Sequence, residues 1–429
     1  MEPSAALQPE DLTLSAHAHG DGIGTLFSAN GRLYRAIRAE HAGFYQGLFE
    51  SGLVDRLIER GQLVGSRIID MTIPGFELVI EHDRLPFVAY PTEWCGLMLR
   101  DAAVATLELQ ATLLENGVTL VDAHGWNIIF DGTRPVMVDL TAIHQLSEDG
   151  YWSAELDFRS EMLYPAVMAS RGRFELGQLL AESSGVKDSD LIPLLRMNLD
   201  WGIRRLWRRA CLRLGMKHRT THAELRSVDR MRQRLAGLTF EASRSPENAG
   251  GTDQAFRSCF DTIRQLGVTS VITVNADSVS CPLAFARAGF KVVAAHRDEP
   301  HCADVYRAAA PERLDVLALV IDLAASNSSF GSFDRSPGPV ARRLGCDLVV
   351  ADVARPDGGV ISQAQFDQYL QGLSTFAGRG LLVRITVPAD SKSSGDLSDL
   401  ELEGLLQRHA SSLQRLAGEG PAYWYLLHK

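Results

Sequence analysis

Between Val121 and Asp139 the chain sets an aspartate, an asparagine five residues on and a second aspartate twelve residues further: Asp122, Asn127 and Asp139. Two short apolar runs, Asn127–Phe130 and Pro135–Leu140, flank Asp131-Gly132, a dipeptide that marks a hairpin turn. Ahead of them, Met98 to Asn116 carries Val104, Leu107, Ala111 and Leu114 at helical spacing and ends on Asn116-Gly117, a C-terminal stop. The constraint is tight. A helix must deliver the chain to Asp122, and a hairpin must bring Asp139 back to it, so the first half is expected to be α+β.

Helix, aspartate, asparagine, hairpin, aspartate is also the order of a kinase C-lobe. The run Asp122-Ala123-His124-Gly125-Trp126-Asn127 resembles the catalytic loop of aminoglycoside phosphotransferases and choline kinases, Asp-Leu-His-Pro-x-Asn. Phosphoryl transfer asks for little covalent chemistry and depends on a positioned carboxylate and a magnesium clamp. The resemblance implies Asp122 as base or orienting group, Asn127 and Asp139 as magnesium ligands, and ATP as the phosphoryl donor. A working kinase also wants a lysine on the third strand of its N-lobe, paired with a helix glutamate. There is no lysine between Met1 and Val186. Arg35 is the nearest stand-in for holding phosphate, with Glu40 or Glu50 as partner, although a guanidinium does not replace an ammonium at a tight site. Gly20-Asp21-Gly22-Ile23-Gly24 could cover phosphates or serve only as a lead-in. A loop scaffold kept without turnover stands beside the catalytic reading.

Around that stretch the first half reads clearly. Thr25–Ala29 and Arg32–Ile37 form a hairpin about Asn30-Gly31, and a helix runs from His41 to Arg60 with a break at Ser51-Gly52. Ser66–Met71, Phe76–Glu81 and Phe87–Tyr90 read as strands. Glu93-Trp94 follows them, and its expected job is to pack and shape an adenine pocket. From Trp152 to Leu238 the pattern is mostly helical. A basic cluster at Arg204–Arg209, with Trp201 and Trp207, reads as the solvated face of an amphipathic helix rather than an anion-binding patch.

Residues 241–254 have linker composition, which divides the chain into 1–240 and 255–429. Beyond the linker, strands at Ser270–Val274, Lys291–Ala295, Val316–Ile321, Leu348–Ala351 and Leu381–Ile385 alternate with helical patterns. That alternation predicts a doubly wound, Rossmann-like α/β sheet, with Ala422–Leu427 as a last antiparallel edge strand. This half resembles a class I methyltransferase dependent on S-adenosylmethionine. In that family the first strand ends in an acid and a glycine-rich turn, and the second strand ends in an acid that grips the ribose.

Here Thr273 replaces the first acid, while Asn275 and Val279 stand where glycines are usual. His296 stands where the ribose-binding acid belongs, with Asp298 two residues on, and Asp322 fits the position facing adenine. The resemblance implies a cofactor above Thr273, Asn275, Asp277, His296, Asp298 and Asp322. A β-branched Val279 in a turn that wants positive φ should cost on the order of 1 kcal/mol. Cys346–Asp352 resembles the fourth strand, which leads to the active site.

Gly31–Arg35, Pro86–Trp94, Asp122–Asn127 and Arg134–Asp139 together resemble a bacterial methyltransferase family related to a rhizobial host-specificity nodulation protein. The resemblance implies a kinase-like unit fused to a methyltransferase unit, with methyl transfer to a small molecule or a carrier-bound biosynthetic intermediate. The net charge of −10 argues against bulk nucleic-acid binding. Six cysteines without a CxxC pair read as reduced thiols, and no window is apolar enough to span a membrane. A cytoplasmic setting is the expectation, and the histidines show no metal-ligand spacing.

Overall fold

The computed structural model describes residues 13–14, 22–148, 150–182, 221–241, 260, 262–276, 278–323, 340–354, 362–386, 399–416 and 423–429. Asp277, the basic cluster Arg204–Arg209 and all of the expected linker after Glu241 lie outside these residues.

The first unit begins with β1 (Thr13–Leu14), β2 (Gly24–Ala29) and β3 (Arg32–Ile37). The β2–β3 turn is made by Asn30 and Gly31, both with positive φ, as a two-residue hairpin requires. Helices α1 (Ala39–Glu50) and α2 (Leu53–Glu59) follow, separated where Gly52 takes φ 68°. Then come β4 (Ser66–Ile69) and β5 (Leu78–His82). The five strands form an antiparallel sheet in the order β1-β2-β3-β5-β4. Phe87–Tyr90 is not a strand; Pro91 ends the extended run in a short 3-10 turn, and the backbone there is engaged elsewhere.

The long α3 (Gly96–Glu115) buries two of its faces and stops at Asn116, before Gly117 at φ 75°. It feeds β6 (Val118–Leu120), the Asp122 loop, the hairpin β7 (Ile128–Asp131) and β8 (Arg134–Met137), and β9 (Ile143–Gln145). Helices α4 (Glu155–Phe158), α5 (Tyr164–Ala169), α6 (Phe174–Glu182) and α7 (Thr221–Ala236) pack below, with a π-helical turn between α4 and α5.

The second unit alternates strand and helix: β10 (Ser270–Val274), α8 (Ser280–Arg287), β11 (Lys291–His296), α9 (Glu299–Ala309), β12 (Val316–Val320). It continues with α10 (Val340–Leu344), β13 (Cys346–Ala354), α11 (Gln363–Ser374), β14 (Ala377–Thr386), α12 (Asp399–Gln407), β15 (Ser412–Leu416) and β16 (Tyr423–His428). The sheet order is β12-β11-β10-β13-β14-β16-β15, parallel through β14 and antiparallel in its last two pairings. Tyr423–His428 is therefore not the edge. It is inserted between β14 and β15, and its fully buried Tyr425 and Leu426 explain why so apolar a strand belongs inside.

A single apolar core runs from Ile23 in the first unit to Leu427 in the second. Trp94 makes an antiparallel bridge to Leu319 on β12, the outer strand of the second sheet, and stacks edge-on against Phe130 at 5.1 Å. The Tyr306 hydroxyl on α9 shares its one proton between Asp101 on α3 (2.9 Å) and the Thr133 carbonyl (3.0 Å). Burial of that contact pushes the Tyr306 phenol well above its usual pKa, with the Asp101 charge adding to it. Glu93 and Arg343 form a buried ion pair across the same boundary at 2.6 Å. Glu93-Trp94 therefore packs at the junction between the units, with both side chains buried.

Candidate functional sites

Two polar sites lie on this frame. In the first unit, α3 and β6 carry the chain to Asp122, whose Oδ2 lies 3.0 Å from His124 Nε2. Burial alone would lower the His124 pKa, but the Asp122 hydrogen bond and the charges of Asp122 and Glu161 raise it above the ordinary value. Burial, then the Asp122 charge, raises Asp157 as well. Gly125 stands where the phosphotransferase loop has proline. A Cβ there would come within 2.8 Å of the Pro91 ring, so the space is already filled from the junction segment.

The Asn127 amide N–H donates to the His124 carbonyl (3.3 Å), and its own carbonyl accepts from Val138 (2.9 Å). These bonds fix Asn127 beside the strand end that carries Asp139. The Asn127 Nδ2 is buried with no hydrogen-bond partner. Asp139 Oδ1 accepts from the Thr141 amide (3.0 Å) and hydroxyl (2.5 Å), and pairs with Arg35 Nη2 at 3.1 Å. Arg35 Nη1 also donates to Thr141 Oγ1 at 2.9 Å. Arg35 therefore meets Asp139 rather than Glu40 or Glu50, and Glu50 instead accepts from Gln46. Asp139 and Arg35 neutralise one another, so an incoming phosphate would compete with a carboxylate already in place.

In the second unit, β10 to β13 are parallel and end on one side of the sheet. The chain winds outward from β10 through β11 to β12 and resumes on the other flank at β13. The crevice between β10 and β13 is the topological switch point, where open α/β sheets bind ligands. Thr273 is fully buried within β10. The positive φ expected of Val279 is absent: its φ is −54°, ordinary helical backbone. The left-handed position is Asn275 at φ 48°, a residue type that tolerates it better than most. The strain expected at Val279 does not arise.

Asn275 N–H donates to the Ala295 carbonyl (2.9 Å), and its side-chain Oδ1 is buried without a hydrogen-bond partner. The other end of the Asn275 side chain, its amide N–H, faces the Tyr369 hydroxyl on α11, where a hydrogen bond from it favours the phenolate. Burial pushes the Tyr369 phenol up to about 12, against that hydrogen bond and with the charges of Asp322 and Asp352 close by. His296 ends β11. Its Nδ1 accepts the Asp298 amide at 3.0 Å, and its ring lies 4.3 Å from that of His301. Asp298 is exposed at the start of α9, and Asp322 lies just past β12.

Asp352 on β13 is held by Arg384 on β14 through two bonds of 2.7 and 2.5 Å. Burial raises the neighbouring Cys281 thiol to about 12, helped by Asp352, which makes it a packing group rather than a nucleophile. Among the described residues, Cys95, Cys281, Cys302 and Cys346 are free thiols. Asn275 thus follows β10, His296 ends β11 with Asp298 two residues on, and Asp322 follows β12, while Thr273 lies within β10. The sequence reading missed Tyr369, and it missed the Asp352–Arg384 clamp, whose partners lie on separate strands. Among the described residues no His, Cys, Asp and Glu grouping has the geometry of a metal site, and no helix is long and apolar enough to cross a membrane.

No protein-family model matches the chain. The nodulation protein NoeA of Rhizobium meliloti (strain 1021) is 26% identical over 190 residues, a match covering 41% of this chain and 38% of that protein. Similar solved structures each overlap 42% of this chain at TM-scores near 0.3. Magnesium protoporphyrin IX methyltransferase from Synechocystis PCC 6803 with bound SAM overlaps 86% of its own length, with 11% identity and TM-score 0.29. The T. thermophilus 16S rRNA N2 G1207 methyltransferase overlaps 44% of its length, with 16% identity and TM-score 0.30. The bifunctional kinase-methyltransferase WbdD overlaps 40% of its length, with 15% identity and TM-score 0.31. By sequence, this chain is similar to the rhizobial nodulation protein NoeA over less than half the length of either protein.

Proposed function

We propose that the chain transfers a methyl group from S-adenosylmethionine to a small-molecule or carrier-bound acceptor, at the crevice between β10 and β13. The observation that carries this reading is the place of Asn275, His296, Asp322 and Asp352 at or near the C-terminal ends of β10, β11, β12 and β13, beside the switch point of a doubly wound sheet. The residues fit the cofactor. The buried, partnerless Asn275 Oδ1 suits a hydrogen-bond donor such as the cofactor's ammonium. His296 and Asp298 suit ribose hydroxyls, and Asp322 suits the adenine amine. When bound, the cofactor would supply an electrophilic methyl on a sulfonium. Asp352, fixed by Arg384, orients the acceptor at the end of β13. Calorimetric titration with S-adenosylmethionine tests the reading, and no heat at millimolar concentration would sink it.

In the same proposal the first unit is kinase-like. Its sheet order β1-β2-β3-β5-β4, the helices between β3 and β4, and the α3–Asp122–Asn127–Asp139 order support that reading. A second function, ATP- and magnesium-dependent phosphoryl or nucleotidyl transfer, is favoured by the backbone bond from Val138 to Asn127, which sets Asn127 beside the strand end that carries Asp139. Asp122 would then be the base, with Asn127 and Asp139 on the metal. Asp139→Ala should abolish magnesium-dependent nucleotide binding in a parallel ATP titration; unchanged binding removes this function. Silence in both titrations would favour a scaffold without turnover.

A further inference from the structure

The segment Phe87–Trp94 belongs to the first unit by sequence, yet Val88 and Glu93 within it are bonded to Arg343 in the second. Val88 donates its N–H to the Arg343 carbonyl (3.2 Å) and accepts from Arg343 Nη1 (2.6 Å). Glu93 receives Arg343 through bonds of 2.6 and 3.0 Å, and its Oε2 also accepts the Tyr90 amide at 2.8 Å. The Arg343 guanidinium lies 4.3 Å from the Tyr90 ring centroid. Tyr90 in turn meets Trp126, inside the Asp122–Asn127 loop, at 5.0 Å.

Two further contacts reach the cofactor-side elements. Trp94 bridges Leu319 on β12, three residues before Asp322. Glu299, the residue after Asp298 and the first of α9, accepts the Gly96 amide at 2.9 Å. Both elements that carry the adenosine-facing acids are therefore anchored in the first unit, and neither is anchored by the neighbouring strands alone.

We infer that the Phe87–Trp94 segment, clamped by the Glu93–Arg343 pair, is a working part of the cofactor site: it sets β12 and the start of α9 where Asp322, His296 and Asp298 can meet the adenosyl group. The inference rests on the methyltransferase reading. Glu93, Trp94, Arg343 and Glu299 are positioning residues; none is assigned a contact with the cofactor.

The test uses the full chain and two probes, S-adenosylmethionine and S-adenosylhomocysteine. Glu93→Met with Arg343→Met replaces the buried ion pair by apolar groups of similar size, an exchange that buried pairs often tolerate. The double variant should melt near the unsubstituted protein yet bind both probes roughly three- to thirty-fold more weakly. Arg415→Ala, on the far edge strand β15, is the control and should leave affinity unchanged. Equal affinity in the folded double variant overturns the inference and leaves the methyltransferase reading standing. If the unsubstituted chain binds neither probe, that reading fails and the inference falls with it. Should the double variant not fold, hydrogen exchange on the unsubstituted chain decides. Probe binding should slow exchange across Phe87–Trp94 as well as β12, and protection confined to the second unit overturns the inference.

Discussion

Two histidines in the first unit respond to pH in opposite directions, and each response is set by what its ring touches. His82 ends β5 with Nδ1 bonded to the Ser66 hydroxyl (2.8 Å). Burial, then the Arg35 charge, lowers its pKa to about 3 from the usual 6.5. The unfolded chain therefore binds a proton that the folded chain refuses. Stability is complete above pH 6.5 and falls by on the order of 1.4 kcal/mol per pH unit as the pH drops toward 3. Urea denaturation at pH 7 and pH 5 measures the loss, which His82→Gln should remove. His124 is raised instead, so its pairing with Asp122 stabilises the fold below the ordinary histidine pKa and fades as the pH rises through the folded value. Asn275 offers a third test at this scale. At φ 48°, Asn275→Gly should be nearly neutral for stability, whereas Asn275→Ala should cost about 1 kcal/mol by thermal denaturation.

Elements held by local chemistry were legible in the sequence, and those held by distant partners were not. Asn30-Gly31, Ser51-Gly52 and Asn116-Gly117 mark backbone conformations that few other residues adopt, and each turn or stop lies where they place it. The spacing of Asp122, Asn127 and Asp139 likewise foretold α3 and the β7–β8 hairpin. Phe87–Tyr90 has strand composition but no strand, because the Val88 N–H and carbonyl bond to Arg343, 255 residues away in sequence, and the Tyr90 amide bonds to Glu93. Apolarity alone could not say whether Tyr423–His428 was an edge or an interior strand. In the candidate sites, residue types were readable, but the pairings Arg35–Asp139 and Asp352–Arg384 depend on tertiary approach and leave no sequence period. The junction makes its own prediction. Glu93→Gln leaves the Arg343 charge buried and half-partnered, so the chain should lose about 3 kcal/mol or more in denaturant titration.

At the scale of the molecule, the two units share one core and meet at backbone as well as side chains. Gly132 shows how closely: with φ 61°, a Cβ there would lie 3.1 Å from the Asp315 backbone of the other unit. Gly132→Ala should lower the melting temperature through both the left-handed backbone and that approach. The bridge between Trp94 and Leu319 carries a further consequence. An open sheet presents unpaired amides and carbonyls along its outer strand, which invite pairing with other chains. Here the outer strand β12 is Val-Leu-Ala-Leu-Val, uncharged along its whole length, and the first unit lies against it. Severing the chain within residues 241–254 and producing the second part alone should uncover that strand. The fragment should come out of cells as aggregate, measurable by sedimentation, and co-production of residues 1–240 should return it to solution.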